Sequence, residues 1–593
     1  MTSETVDGPR PTPGRSGLRR FTVTWEHPDD QQKSWVLDRI HFPDPLAPLE
    51  FAVLQETFVP ALGDAFRSYD APLLRVEARR INTYYYYAMI VEPHVELASR
   101  LARGLERLGN GVARRAVRSI GKVMARRVID KMDGVMARMG EVWSTEWLPE
   151  IERHVAFWQG FDLSGAAWPE LLAHLEESVA RARRIWEIHH LLVLQSRVAM
   201  SLFEELYNDL FDSASAFDAY RLLEGFDNKT LEANRALWEL SRRALASPEV
   251  CELLRTHAAA DVAAALEWSP DGRAFLGAVG GYLAAYGERG DRWGLIQPTW
   301  AEDPTPLYKN LKDYITQPSR DLAADLERLG LERERLVAEV RSRLSAYPRP
   351  VVEQFERLLR AAQTATVLNE DHHFWIESRA MNQVRRLLLE FGRRLAQDGA
   401  IDSPDDVFML TLGELRDAAS GAHGPGFHAV VAVRRAEMAE FAEVVPRPML
   451  GTASGPLPDN PLSRAFDKFL GTPPQPTSDR HVLRGHPGAA GRASGPARVI
   501  RSLADASKLE PGDVLVAETT APPWTPLFAT AAAVVTDTGG ILSHCAVVAR
   551  EYRIPAVVGT AIGTSVIRDG QILEVDGTSG VVRIGAPAAE GAD

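Results

Sequence analysis

The sequence has little cysteine, little lysine and no long uncharged apolar run. Cys251 and Cys545 are its two cysteines in 593 residues, and no CxxC pair occurs. That argues against a disulfide framework or a zinc-finger site and fits a reducing cytoplasm. Eight of the 67 basic residues are lysine, which leaves 59 arginines, a skew from which no function follows. The charge balance is 67 − 80 = −13, and no basic tail is concentrated anywhere, which argues against a nucleic-acid partner. No stretch of 18 apolar residues is free of charge, so no membrane-spanning helix is expected. Residues 1–20 are rich in Pro, Gly, Ser and charge. They lack the apolar core of a secretory signal and read as a disordered lead-in. The expected location is the cytoplasm.

What is present divides the chain. Its length allows roughly three to five domains. From 21 to 445 the apolar residues recur mostly three and four apart, as in Leu97, Leu101, Leu105 and Leu108. Strand-like alternation is nearly absent, so this part is expected to be a large helical domain or two packed helical subdomains. Helix 103–128 carries eight basic residues, among them Arg103, Arg107, Arg114 and Lys122; it is open between a solvated face and a docking surface for an acidic partner. Residues 446–480 are crowded with Pro and Gly and read as a hinge linker. From 481 to 587, short β-branched runs such as Asp513–Glu518, Ala532–Thr536 and Pro555–Gly559 surround one helix, about Ser543–Tyr552. This is the grammar of a small α/β domain. Residues 588–593 are a tail. The fold class is therefore multidomain, a large mainly α-helical domain followed by a small α/β domain.

The chemistry concentrates in Thr536–Glu551, TDTGGILSHCAVVARE. A buried strand ends at Val535, and Gly539-Gly540 lets the backbone turn tightly. Ser543 is a natural N-cap. His544 then falls in the first helical turn, where backbone N–H groups and the helix dipole favour an anion. A neutral imidazole there is a competent nucleophile. On spacing alone, a capped histidine in an ordinary βα turn stays equally open.

These residues resemble the phosphohistidine signature of the phosphoenolpyruvate-utilising enzymes. The matching positions are Gly539, Gly540, Ser543, His544, Ala549, Arg550, Glu551 and Ile554–Gly559, and the likeness covers about residues 482–585. It implies a swivelling phosphohistidine domain with His544 as the phosphoryl carrier and Thr538, Gly539, Gly540 and Ser543 around the phosphate. Cys545 stands where that family usually has Ala, so oxidation sensitivity beside the nucleophile is conceivable. Gly287–Leu307 and Leu368–Leu415 are similar to the helical domain of rifampin phosphotransferase and to the large subunit of phenylphosphate synthase. In the former, the segment matching Asn369–His373 has an Arg-Glu pair and a nearby Lys. Here Glu370 keeps the acid, while Asn369 and His373 replace the two bases.

Such relatives normally carry an ATP-grasp module, which is not visible here. No GxxxxGK[ST] loop occurs. The layout resembles phenylphosphate synthase, whose ATP-grasp portion is a separate subunit. That resemblance implies a partner that uses ATP and Mg²⁺ to phosphorylate His544, and a swivel that delivers the phosphoryl group to the hydroxyl of a small aromatic acceptor. Glu370, His372 and His373 are the candidate general bases, with His189 and His190 the runners-up. Arg289 and Arg379 are candidates for the phosphoryl oxygens. Tyr84–Tyr87, Trp293, Trp300, Phe374 and Trp375 are candidate acceptor-pocket residues. No metal ligand and no cofactor of this chain itself is assigned. A split rifampin-type phosphotransferase and a phosphocarrier with a partner-binding helical domain are the alternatives.

Overall fold

The computed structural model describes residues 21–71, 73–91, 126–212, 215, 217–290, 292–318, 321–421, 426–452, 460–472, 479 and 481–587. The lead-in 1–20, most of the basic helix read at 103–128, parts of the linker and the tail 588–593 lie outside the described residues.

The first part is helical around one long axis. Helix Trp168–Leu210 runs for 43 residues and buries a continuous apolar stripe. Helix Arg349–His372 packs along it, with Phe355, Leu358, Leu359, Ala362, Ala365 and Leu368 turned inward at three- and four-residue spacing. After His372 the winding widens into a π-helical segment, His373–Ala380, and resumes as helix Met381–Gln397.

The expectation that strands are nearly absent before residue 480 is wrong. Strands β1 (Ser34–Leu37), β2 (Leu73–Ile81), β3 (Tyr84–Val91) and β4 (Met449–Gly451) form an antiparallel sheet in the order β2-β3-β1-β4. The cause is in the residues: Arg75, Glu77 and Arg79 alternate with Val76 and Ala78, and only the latter pair is buried. The β2–β3 hairpin closes through Asn82 and Thr83, both at positive φ (50° and 68°), as a two-residue primed turn requires.

The linker is also more ordered than its composition suggests. Within 446–480, β4 pairs with β1. Helix Pro461–Leu470 starts at an Asn460 cap. Its Leu462, Ala465, Phe466 and Phe469 join the main core, and Lys468 and Arg464 bind Glu204 (2.6 Å) and Glu205 (2.9 Å) of the long helix.

The last part holds β5 (Val482–Arg484), β6 (His486–Ala489), β7 (Arg492–Val499), β8 (Val514–Ala517), β9 (Ala533–Thr536), β10 (Ala556–Val558), β11 (Gln571–Asp576) and β12 (Val581–Pro587). They form one sheet ordered β5-β12-β11-β7-β8-β9-β10-β6, parallel from β7 to β10. The buried β8, β9 and β10 are apolar on both faces, as parallel strands covered on both sides should be. The C-terminal end of β9 leads directly into the turn bearing His544.

Candidate functional site

His544 opens helix His544–Glu551, capped by the Ser543 hydroxyl, which accepts from the Ala546 N–H at 3.4 Å. Gly539 sits at φ +94°, and a Cβ there would meet Ser543 at 2.8 Å. Gly540 has a different duty from the phosphate cradle expected of it. Its N–H donates to the Phe469 carbonyl (2.8 Å), and a Cβ would lie 2.3 Å from the Lys468 carbonyl. Gly540 therefore lets the turn dock on helix Pro461–Leu470. Leu542 N–H adds a second bond, to the Lys468 carbonyl (2.8 Å).

The docked turn places His544 against the helical part. Its Nδ1 lies 3.4 Å from Glu370 Oε2. Its Nε2 is buried and has no hydrogen-bond partner. Burial opposes charge on Glu370, but His544 and His373 beside it, with the Thr230 hydroxyl donating at 3.0 Å, hold its carboxyl below the usual range. A carboxylate at Nδ1 fixes the imidazole tautomer that leaves a lone pair on Nε2.

A second cluster lies behind the first. His189 from the long helix, His372 at the end of helix Arg349–His372 and His373 at the start of the π-helical segment converge on Glu377. His189 Nδ1 and His372 Nε2 each stand 3.3 Å from Glu377 Oε1. His373 Nδ1 and Trp293 Nε1 contact Glu377 Oε2. The π-helical winding makes this possible: His372 and Glu377 are five residues apart, the spacing that a π turn brings together. Burial disfavours the charged carboxylate of Glu377, yet His373 and His372 hold its carboxyl well below the ordinary value. Burial pushes His189 well below the ordinary imidazole value, and pushes His190 down to about 3.

Residues of both clusters line one cleft between the helical part and the α/β part. Glu370 abuts it through His544. His372, His373 and His189 line it, as do Thr538, Gly539 and Ser543. Thr538 is occupied by its own chain, its hydroxyl donating to the Glu518 carbonyl at 3.0 Å. Four expected placements are corrected. Arg289 is buried over the Trp300 ring (4.1 Å) and bonded to Tyr282. Arg379 faces Glu288 (3.6 Å) and the Trp375 ring. His190 turns to the Phe58 carbonyl (3.3 Å). Cys545 lines the cleft but is buried, and burial pushes its thiol up to about 12, so the expected oxidation sensitivity has no thiolate to start from.

Of the aromatics, Trp293 lines the cleft. Tyr84 and Tyr86 pack with Trp35 on the far side of the sheet, and Tyr85 packs on Phe42 (4.9 Å). Trp300 is fully buried, and Phe374 stands beside Tyr286 (6.2 Å).

Arg197 is a cleft residue that sequence reasoning missed. It lies on the long helix eight residues beyond His189, its guanidinium 3.2 Å from the centre of the Phe469 ring. Its Nε has no hydrogen-bond partner, and burial pushes it down to about 9. Glu377 was missed as well, although it lies within the family-like stretch 368–415.

A cleft with a capped histidine on one wall and a helical wall opposite defines a class, and comparisons with known proteins agree with it. Residues 509–580 match the PEP-utilising enzyme mobile domain, and residues 189–370 match the rifampicin phosphotransferase fourth domain. His544 and Glu370 thus each fall inside a matched segment, and the chain carries the mobile domain of the phosphoenolpyruvate-utilising enzymes. The chain is similar to chondramide synthase CmdD of Chondromyces crocatus, 41% identical over 96% of this chain and 14% of that protein. It is also similar to the uncharacterized phosphotransferase YvkC of Bacillus subtilis, 30% identical over 67% of this chain and 47% of that protein. Rifampicin phosphotransferase of Streptomyces sviceus is 31% identical over 60% of this chain and 40% of its own length. The chain spans less than half the length of each of these relatives. Among the described residues, no helix is long and apolar enough to cross a membrane.

Proposed function

We propose that this chain is the phosphotransferase component of an ATP-dependent synthase. His544 is phosphorylated on Nε2 and passes the phosphoryl group to the hydroxyl of a small aromatic acceptor held in the cleft. The observation that carries the reading is the geometry of His544. One ring nitrogen faces a carboxylate, and the other is buried without a partner in a cleft shared by the two matched segments.

The covalent carrier divides one transfer into two easier ones. In the first, Nε2 attacks the β-phosphorus of ATP and AMP leaves with the bonding pair; water then takes the γ-phosphate off as inorganic phosphate, which leaves one phosphoryl group on Nε2. Glu370 steadies the ring proton on Nδ1 and the positive charge that grows there. In the second, the acceptor oxygen attacks phosphorus, the N–P bond breaks with its electron pair returning to Nε2, and the acceptor proton goes to a base. His373, whose ring centre lies 6.3 Å from that of His544 and which lines the cleft, is the base assigned to that proton, while Glu370 stays on the Nδ1 side of the ring. Arg197 is the cleft cation suited to the phosphoryl oxygens. Transfer of this kind needs mainly alignment and charge stabilisation. ATP and Mg²⁺ enter as substrates on an ATP-grasp partner, in the cytoplasm; the relatives' greater length leaves room for such a unit on the same polypeptide as well.

A rifampicin-type acceptor is the second reading, favoured by the fourth-domain match over 189–370. Asn369 and His373, both lining the cleft, replace basic residues there and favour a different acceptor. The test mixes the chain with an ATP-grasp protein and ATP labelled at the β-phosphate, then offers phenols, alkylphenols and rifampicin. Discharge by a phenol is the expected result. Discharge by rifampicin alone favours the second reading, and transfer only to another protein favours a phosphocarrier.

A further inference from the structure

We propose that His189, His372 and Glu377 form a binding site for one divalent transition-metal ion of the zinc class. Their donor atoms, His189 Nδ1, His372 Nε2 and Glu377 Oε1, all lie within 4.8 Å of one another. Both nitrogens stand 3.3 Å from the oxygen. Tetrahedral zinc with bonds of about 2.0–2.1 Å has donor-to-donor edges of about 3.3–3.4 Å. The three side chains are 4%, 2% and 5% exposed.

The hydrogen bonds point the same way. His189 Nδ1 and Glu377 Oε1 are buried and have no hydrogen-bond partner despite their closeness. His372 Nδ1 is 3.1 Å from the Leu368 carbonyl, an acceptor, so the ring proton sits there. That leaves the Nε2 lone pair facing a carboxylate oxygen, an arrangement that calls for a cation between them. A ligating histidine tied to a backbone carbonyl by its other nitrogen is the usual support of a metal site. Glu377 Oε2 is held in turn by Trp293 and His373.

Two imidazoles and one carboxylate suit zinc better than magnesium or calcium, which prefer all-oxygen shells. Three protein ligands leave a fourth position, and all three residues line the cleft, as in metal sites that bind a substrate oxygen. An acceptor hydroxyl coordinated there would lose its proton more readily. That role rests on the phosphotransfer reading, whereas the metal site does not.

The test uses the full chain, stripped with a chelator and titrated calorimetrically with Zn²⁺ at neutral pH. One equivalent should bind. His189→Gln and Glu377→Gln should each weaken binding at least about 100-fold with an unchanged circular dichroism spectrum. His544→Ala should leave Zn²⁺ binding intact while abolishing phosphorylation, which keeps failure of the metal site distinct from failure of the carrier. Co²⁺ added to the stripped wild-type chain should give the visible absorption of a tetrahedral site, a reading that needs no variant. No saturable Zn²⁺ binding, a flat Co²⁺ spectrum, or binding that survives both substitutions overturns the proposal.

Discussion

The two walls of the cleft use histidine in opposite ways. From the α/β wall a lone imidazole, His544, reaches one carboxylate of the helical part, Glu370, in direct contact through Nδ1, and keeps Nε2 without a partner. On the helical wall three imidazoles, His189, His372 and His373, crowd one carboxylate, Glu377. One histidine per acid yields an oriented nucleophile. Three histidines per acid yield a surplus of nitrogen donors around one anion, which suits holding a cation. On the two proposals made above, the same two residue types serve carrier chemistry on one side and cation binding on the other, and their ratio and spacing decide which.

The largest expected effect comes from breaking the one-to-one pairing. Glu370→Gln should slow phosphorylation of His544 about 10²-fold, because the amide can present its NH₂ to Nδ1 and strand the wrong tautomer; single-turnover loading measures it. Equal loading of the Glu370→Gln variant and the wild-type chain would show that the carboxylate is structural. Arg197→Met should slow discharge of the phosphorylated chain to acceptor by roughly 10-fold or more, with Arg197→Lys restoring part of it. A change confined to loading would move Arg197 to the donor half-reaction.

Docking of the two walls can be tested without chemistry. Gly540→Ala should cost about 1–3 kcal/mol in chemical denaturation, since its Cβ would strike the Lys468 carbonyl. Gly570→Ala is the control: it has positive φ, but its Cβ would meet nothing within 4 Å, so it reports backbone strain alone.

The smallest effect is a pH dependence at the rear of the docked helix. Glu551 accepts from the Gly225 N–H (3.3 Å). Burial, and then its neighbour Glu224, push Glu551 up to about 8; burial pushes Glu224 up to about 7. Raised folded values mean that folding takes up protons. The associated stability is fully present below the ordinary carboxyl range and is lost as pH rises through about 7 and 8. Thermal melts from pH 6 to 9 should therefore fall more steeply for wild type than for Glu551→Gln. Parallel curves would remove this pair from the docking surface.

How much of this was legible in the sequence follows from how local each feature is. The turn Thr538–His544 is contiguous, and its glycines, its cap and its histidine announce themselves. The second module could be read because its strands are short, apolar and punctuated. The cluster on the helical wall could not. His189 and Arg197 lie on one helix and Glu377 on a π-helical segment far along the chain, where the wider winding brings His372 and Glu377 together. The tyrosine run Tyr84–Tyr87 read as pocket lining because strand alternation in Arg75–Ile81 was overlooked; in the sheet, successive tyrosines face opposite cores. Arg289 and Arg379 failed as phosphate ligands because aromatic faces and Glu288 already claim them.

The central claim is that His544 carries the phosphoryl group on Nε2 at the cleft. Loading the chain from ATP in the presence of its ATP-grasp partner, then mapping the group by tandem mass spectrometry and assigning the ring nitrogen by ³¹P NMR, tests it most directly. The account predicts one phosphoryl group per chain, on His544 Nε2, absent from His544→Ala. Equal labelling of His544→Ala, or a group on Nδ1, would contradict it.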